Sequence, residues 1–239
     1  GRHGVVAAER HGPRTVGAAV SLVALIAVAA RAEASAGELQ PHGPLVTAAM
    51  TGDTAGVRRL ISSGHDVNTR NRNGLTVLAV AAIYGKLECV EYLIDAGADL
   101  EERDLDGHTP LGHSAMIRGD EHVRAARLLL RRGAAVDSLN EVAGITPLGL
   151  AARENRPAVG DVLLHAGADI EARTVIDGLT PLALAATRGN INPALLLLEH
   201  GADINARTAS GLTPLAIAVL HGHTRVAAVL GDAGATSWV

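Results

Sequence analysis

One fixed period governs this chain. Thr-x-Leu follows a glycine at Gly74, Gly107, Gly144, Gly178 and Gly211, and these glycines are 33, 37, 34 and 33 residues apart. A second series, Gly64, Gly97, Gly133, Gly167, Gly201 and Gly234, advances in steps of 33, 36, 34, 34 and 33. Two independent markers share a period and even share the longer gap. One structural unit is therefore repeated, and each copy must bury its apolar face against its neighbours.

Each unit reads as two short helices. Thr-Pro opens the first, because threonine suits an N-cap and proline at the first helical position loses no needed N–H. Leu182-Ala-Leu-Ala-Ala186 continues it. Gly52, Gly85, Gly119, Gly189 and Gly222 end it, since glycine accepts the left-handed conformation of helix ends. A Leu-rich second helix follows, as in Leu195–Leu198. It stops at the Gly of Ala-Gly-Ala-Asp, and a short extended segment leads onward.

The motifs Gly178-Leu-Thr-Pro-Leu-Ala-Leu-Ala-Ala186 and Glu199-His-Gly-Ala-Asp-Ile-Asn-Ala-Arg207 resemble the ankyrin repeat, and the whole chain resembles an exported, leader-bearing bacterial member of that family. The resemblance covers residues 37–239 in six units: 38–70, 71–103, 104–140, 141–174, 175–207 and 208–239. It implies an all-α repeat solenoid of helix-turn-helix units joined by β-hairpin loops. The family often has His after Thr-Pro-Leu, but Ala79, Gly112, Gly149, Ala183 and Ala216 stand here, so a bond tying neighbouring units is absent. Unit three carries about three extra residues near Ile117–His122, which predicts a longer inter-helix loop. Units one and six look like caps.

The composition fits such a stack. Aromatic residues make up 1% of the chain, with no Phe, so the core must be Leu, Val, Ile and Ala. The net charge of −4 argues against a nucleic-acid binder, which needs a basic surface. A single cysteine, Cys89, excludes an intrachain disulfide and a multi-cysteine zinc site.

Residues 1–36 read as a secretory signal peptide. Arg2, Arg10 and Arg14 precede the uncharged run 16–30, and Ala34-Ser35-Ala36 or Ala30-Arg31-Ala32 supplies a cleavage site. An uncleaved membrane anchor and an ordinary helix are the alternatives. The first residue is Gly1 and the first methionine is Met50, so the start Met is expected to be missing. Cleavage would leave a more acidic, exported chain, periplasmic or extracellular, without a membrane segment and expected to be monomeric.

Catalytic signals are weak. His221 and His223 form the only close His pair and sit at a turn, with no third metal ligand evident. His113 replaces an apolar helix residue, with no nucleophile placed beside it. A metal-dependent enzyme using His113 or His221 and His223 stays the minor alternative, and no cofactor is expected. Cys89 takes an apolar position and reads as a buried thiol rather than an intermolecular one. Asp66, Asp99, Asp169 and Asp203 recur once per unit, which suits turn stabilisation better than a calcium cage. Arg70, Arg103, Arg173 and Arg207 form a ladder, either paired with acidic neighbours or offered to an anionic partner. Glu88, Glu91 and Asp95 are expected to meet Arg124, Arg127 and Arg131 across units two and three.

The resemblance implies protein binding, without catalysis, through hairpin tips and the concave first-helix face. The corresponding residues are Arg72, Asn73, Leu75, Ile83 and Tyr84 in unit two, and Leu105, Asp106, His108, Met116 and Ile117 in unit three. Val142, Ile145, Arg153 and Glu154 in unit four and Ile176, Leu179, Thr187 and Arg188 in unit five continue the set. Ile83, Met116 and Ile117 are equally suited to packing on neighbouring units.

Overall fold

The computed structural model describes residues 43–236; the leader, Pro41 and Trp238 lie outside them. Twelve helices occupy this span. In chain order they are α1 Gly43–Thr51, α2 Thr54–Ser62, α3 Val77–Ile83, α4 Leu87–Asp95, α5 Pro110–Met116, α6 Asp120–Arg131, α7 Pro147–Arg153, α8 Pro157–His165, α9 Pro181–Arg188, α10 Ile191–Glu199, α11 Pro214–Leu220 and α12 Thr224–Asp232. The odd-numbered helices pack on one another in sequence order, and the even-numbered ones form a second layer against them. The result is an all-α stack of six helix pairs. None of the described helices is long and apolar enough to cross a membrane.

Local chemistry sets the period. Thr76, Thr109, Thr146, Thr180 and Thr213 are extended N-caps whose hydroxyls accept from the backbone N–H three residues on, at 3.1–3.3 Å. Proline follows in α5, α7, α9 and α11. Pro157 opens α8 and Pro193 lies in the first turn of α10, where proline costs no helical bond. The core between the layers is one continuous aliphatic cluster, its largest sealed side chains being almost all leucine. Tyr92 is half-buried, and Arg58 of α2 lies over its ring, 4.4 Å from the centroid.

Three expectations change. The unit-three insertion lengthens no loop; it makes α6 twelve residues long where the other even-numbered helices have nine. Three residues are nearly one helical turn, each adds a backbone bond, and Asp120 and Glu121 suit the positive end of the helix. Among the described residues the connecting loops are hairpin-shaped turns that hold no strand, only the isolated bridge Arg70–Thr76. Across units two and three the acids Glu91 and Asp95 meet Arg132, not Arg124, Arg127 or Arg131, because the guanidinium of this helix-capping residue reaches both carboxylates at once.

Polar side chains replace the missing family histidine between units. His122 Nε2 lies 2.8 Å from the Ile83 carbonyl and His223 Nε2 lies 3.0 Å from that of Thr187. Arg156 Nε donates to Met116 O at 2.9 Å, and Asn190 Nδ2 donates to Ala152 O and Arg153 O at 2.9 and 2.8 Å. Each satisfies orphan carbonyls at the C-terminal end of the preceding unit's first helix. On the loop side, Asn68, Glu101, Asp137, Glu171 and Asn205 each accept a backbone N–H from the next unit.

Candidate functional site

The exposed edge of the stack is built from tightly closed turns. Asn71 Oδ1 accepts from Asn73 and Leu75 N–H at 2.9 and 3.0 Å, and Asp104 Oδ1 accepts from Asp106 and His108 at 3.0 and 2.8 Å. Asn140, Thr174 and Thr208 close the following turns in the same way. The turns also abut. A Cβ at Gly144, where φ is +60°, would lie 2.3 Å from Val175 Cγ2, and Leu105 covers Gly74 likewise. Adjacent tips therefore form a continuous ledge.

Apolar side chains project from that ledge. Leu105, Val142, Val175 and Ile176 are 75%, 60%, 74% and 71% exposed, and Leu139 lies beside them in the chain of tips. Arg72, Asn73, Asp106 and Arg188 are exposed with them. Ile83, Tyr84, His108, Ile117, Arg153, Glu154, Leu179 and Thr187 are half-buried along the first-helix side. Arg153 and Glu154 pair with each other at 2.9 Å. Val219 and Leu220 add apolar surface at the end of α11.

Leu75, Met116 and Ile145 do not belong to this surface. All three are buried in the core cluster. Asn71 draws the Leu75 backbone inward, Arg156 of the next unit binds the Met116 carbonyl, and Ile145 packs where Gly149 has no side chain. Val175 and Leu139 are exposed on the ledge although neither is among the tip residues expected from the sequence. The signal for Val175 was present: an apolar pair, Val175-Ile176, stands directly before Asp-Gly in a turn.

The remaining polar candidates are engaged in structure. Arg70 donates to the carbonyls of Gly74 and Arg103 and pairs with Glu102. Arg103 reaches Leu139 O, and Arg173 reaches Arg207 O, so the arginine ladder stitches successive tips together. Asp66, Asp99, Asp169 and Asp203 each accept the N–H two residues on, at 2.8–2.9 Å, which is the turn role expected of them. His221 and His223 stack at 6.1 Å but point to different carbonyls, Ile217 O and Thr187 O. His113 is sealed in the core against Asp104, and the Ser114 hydroxyl beside it in sequence donates to Pro110 O. Burial pushes the Cys89 thiol up from its ordinary value, partly offset by Thr54 at 3.3 Å.

Comparisons with known proteins agree with this architecture. The family described as ankyrin repeats (3 copies) matches residues 45–140 and 148–238. No curated protein sequence matches the chain. Among solved structures, an ankyrin repeat domain from Acinetobacter baumannii AYE is 28% identical with a TM-score of 0.68, covering 81% of this chain and 98% of its own. The ankyrin repeat domain of Bcl-3, a member of the IkappaB protein family, is 28% identical with a TM-score of 0.72, covering 83% and 89%. Six helix pairs at this period, the Thr-Pro caps and a family match over most of the chain lead to one conclusion: the chain belongs to the ankyrin-repeat family.

Proposed function

We propose that this protein is a non-catalytic binding module that holds a protein partner against the tips of units three to five and the adjoining first-helix face. The exposed apolar row Leu105, Val142, Val175 and Ile176 carries this reading. Large apolar side chains held outward on closed, mutually braced turns supply desolvation energy at small entropic cost. Arg72, Asn73, Asp106 and Arg188 give the polar surroundings that orient a partner. Ankyrin repeats are typically protein-interaction modules, and the two solved relatives share the scaffold.

The proposed place of action is the cell envelope or outside it, because residues 1–36 have the order of a signal peptide. N-terminal sequencing of protein recovered from a cell decides this. A start near Gly37 supports export with cleavage, whereas a retained apolar run 16–30 points to a membrane-tethered adaptor.

Capture experiments test the surface. Wild-type protein and the Leu105→Asp/Ile176→Asp variant are immobilised and challenged with envelope extract. The variant is expected to melt like wild type and to lose at least about tenfold of any specifically retained protein, as the removal of central contacts does. Equal retention by the two would sink the proposed face.

A further inference from the structure

On the second-helix side, away from the tips, Asp161, His165 and His200 converge. Asp161 and His165 stand one turn apart on α8, so they share a helix face. His200 is the residue that caps α10 in the next unit. His165 Nδ1 lies 3.2 Å and His200 Nε2 lies 3.7 Å from Asp161 Oδ1, and the two rings meet edge-on with centroids 5.6 Å apart. One donor atom from each of the three falls within 4.8 Å of the others. We propose that Asp161, His165 and His200 form a surface site for a borderline divalent transition-metal ion, zinc foremost, bridging units four and five.

The chemistry of the donor set fits that ion. Two imidazoles and one carboxylate suit zinc, copper or nickel and are too nitrogen-rich for magnesium or calcium. Bond lengths of 2.0–2.2 Å in a tetrahedron separate ligand atoms by about 3.3 Å, close to the two spacings from Asp161, 3.2 and 3.7 Å. His165 Nδ1 also lies 2.9 Å from the Asp161 carbonyl, so taking up the ion exchanges that one contact for a metal bond. Three protein ligands leave one tetrahedral position open. Asp161 and His165 also line a depression with Arg127 and Arg131, whose positive charge favours water or an anion as the fourth ligand.

Isothermal titration of the metal-free chain with zinc chloride in a non-chelating buffer tests the site. Wild type is expected to bind one ion per chain. His165→Ala and His200→Ala are each expected to weaken binding at least tenfold, while His221→Ala leaves it unchanged. Cobalt substitution is expected to give visible absorption of tetrahedral strength in wild type and none in His200→Ala. Circular dichroism melts check that the variants stay folded, which their exposed positions favour. Absence of saturable binding, or equal binding by wild type and both site variants, would show that the three side chains form ion pairs only.

Discussion

His113 Nε2 lies 2.8 Å from Asp104 Oδ2, and the two side chains are only 1% and 5% exposed. Asp104 thus does two tasks. One oxygen closes the tip turn of unit three and the other holds a histidine in the core. Asp104→Ala removes both and leaves His113 buried without its partner. Leaving a buried hydrogen-bonding group without its partner costs about 1–3 kcal/mol, with the lost turn contacts in addition. Urea unfolding is expected to show a loss of that order, and a clearly smaller loss for Asp104→Asn, which can still accept at the turn.

Acid should weaken the same region. Burial, together with the neighbouring His113, holds the His108 imidazole down at about 4. The unfolded chain takes up that proton near pH 6.5, so between about 6.5 and 4 it binds more protons than the folded one. Stability is then full above pH 6.5 and falls as the pH drops toward 4, by about 3 kcal/mol at most, at 1.36 kcal/mol per unit. Burial would raise the Asp104 carboxyl, but the His113 hydrogen bond and charge and the His108 N–H outweigh it and set it below its ordinary value. Its contribution is present above the unfolded carboxylate pKa and is lost as the pH falls through the lowered folded value. Urea midpoints measured from pH 7.5 to 3.5 should decline in wild type. They should decline less between 6.5 and 4 in His108→Gln.

The sequence made the stack legible because its signals are local. A Thr-Pro cap and a glycine at a helix end act within a few residues of themselves, and the period repeats them. What escaped it depends on neighbours in space. Three inserted residues serve a loop or a helix equally well until packing decides, and Arg132 takes the place of three other arginines as the partner of Glu91 and Asp95. Leu75, Ile145 and Leu105 all look like tip residues in sequence, yet the first two are buried in the packed core and the third is exposed. His165 and His200 are 35 residues apart, and only the stacking brings them together.

The cross-unit caps should couple the repeats. Asn190 donates to two carbonyls of unit four, and His122 bonds one of unit two. Removing either leaves acceptors unsatisfied at a packed helix end, worth about 1–3 kcal/mol. Asn190→Ala and His122→Ala are each expected to lower the urea midpoint. Each should also speed hydrogen exchange at amides on both sides of its own junction before more distant ones.

Cys89 should be inert while the fold holds. It is fully buried in α4, against Thr54 of α2, and burial raises its thiol pKa, with Asp53 and Glu88 adding to the rise. Thiolate is the reactive form, so neither access nor ionisation favours attack. A chromogenic disulfide reagent is expected to react at once in urea and, in native buffer, only as fast as the helix pair opens. Prompt stoichiometric labelling of the native chain would contradict this placement.

Asn155 marks the place where this chain departs from its own pattern. The other inter-helix turns use Gly52, Gly85, Gly119, Gly189 and Gly222 at positive φ, whereas unit four uses Asn155 at φ 57°, the one non-glycine residue with positive φ among those described. Asparagine tolerates the left-handed region better than other side chains but still bears a Cβ there. Its Oδ1 is also buried with no hydrogen-bond partner. Asn155→Gly removes both defects, against the greater freedom glycine gains when unfolded. Removing the buried unpaired amide oxygen, worth about 1–3 kcal/mol, with the residual strain outweighs that freedom, about 0.4–1 kcal/mol. Thermal melts are expected to rank Asn155→Gly above wild type and Asn155→Ala below it. Because the turn joins α7 to α8, the change should be greatest in exchange protection at the amides that follow it.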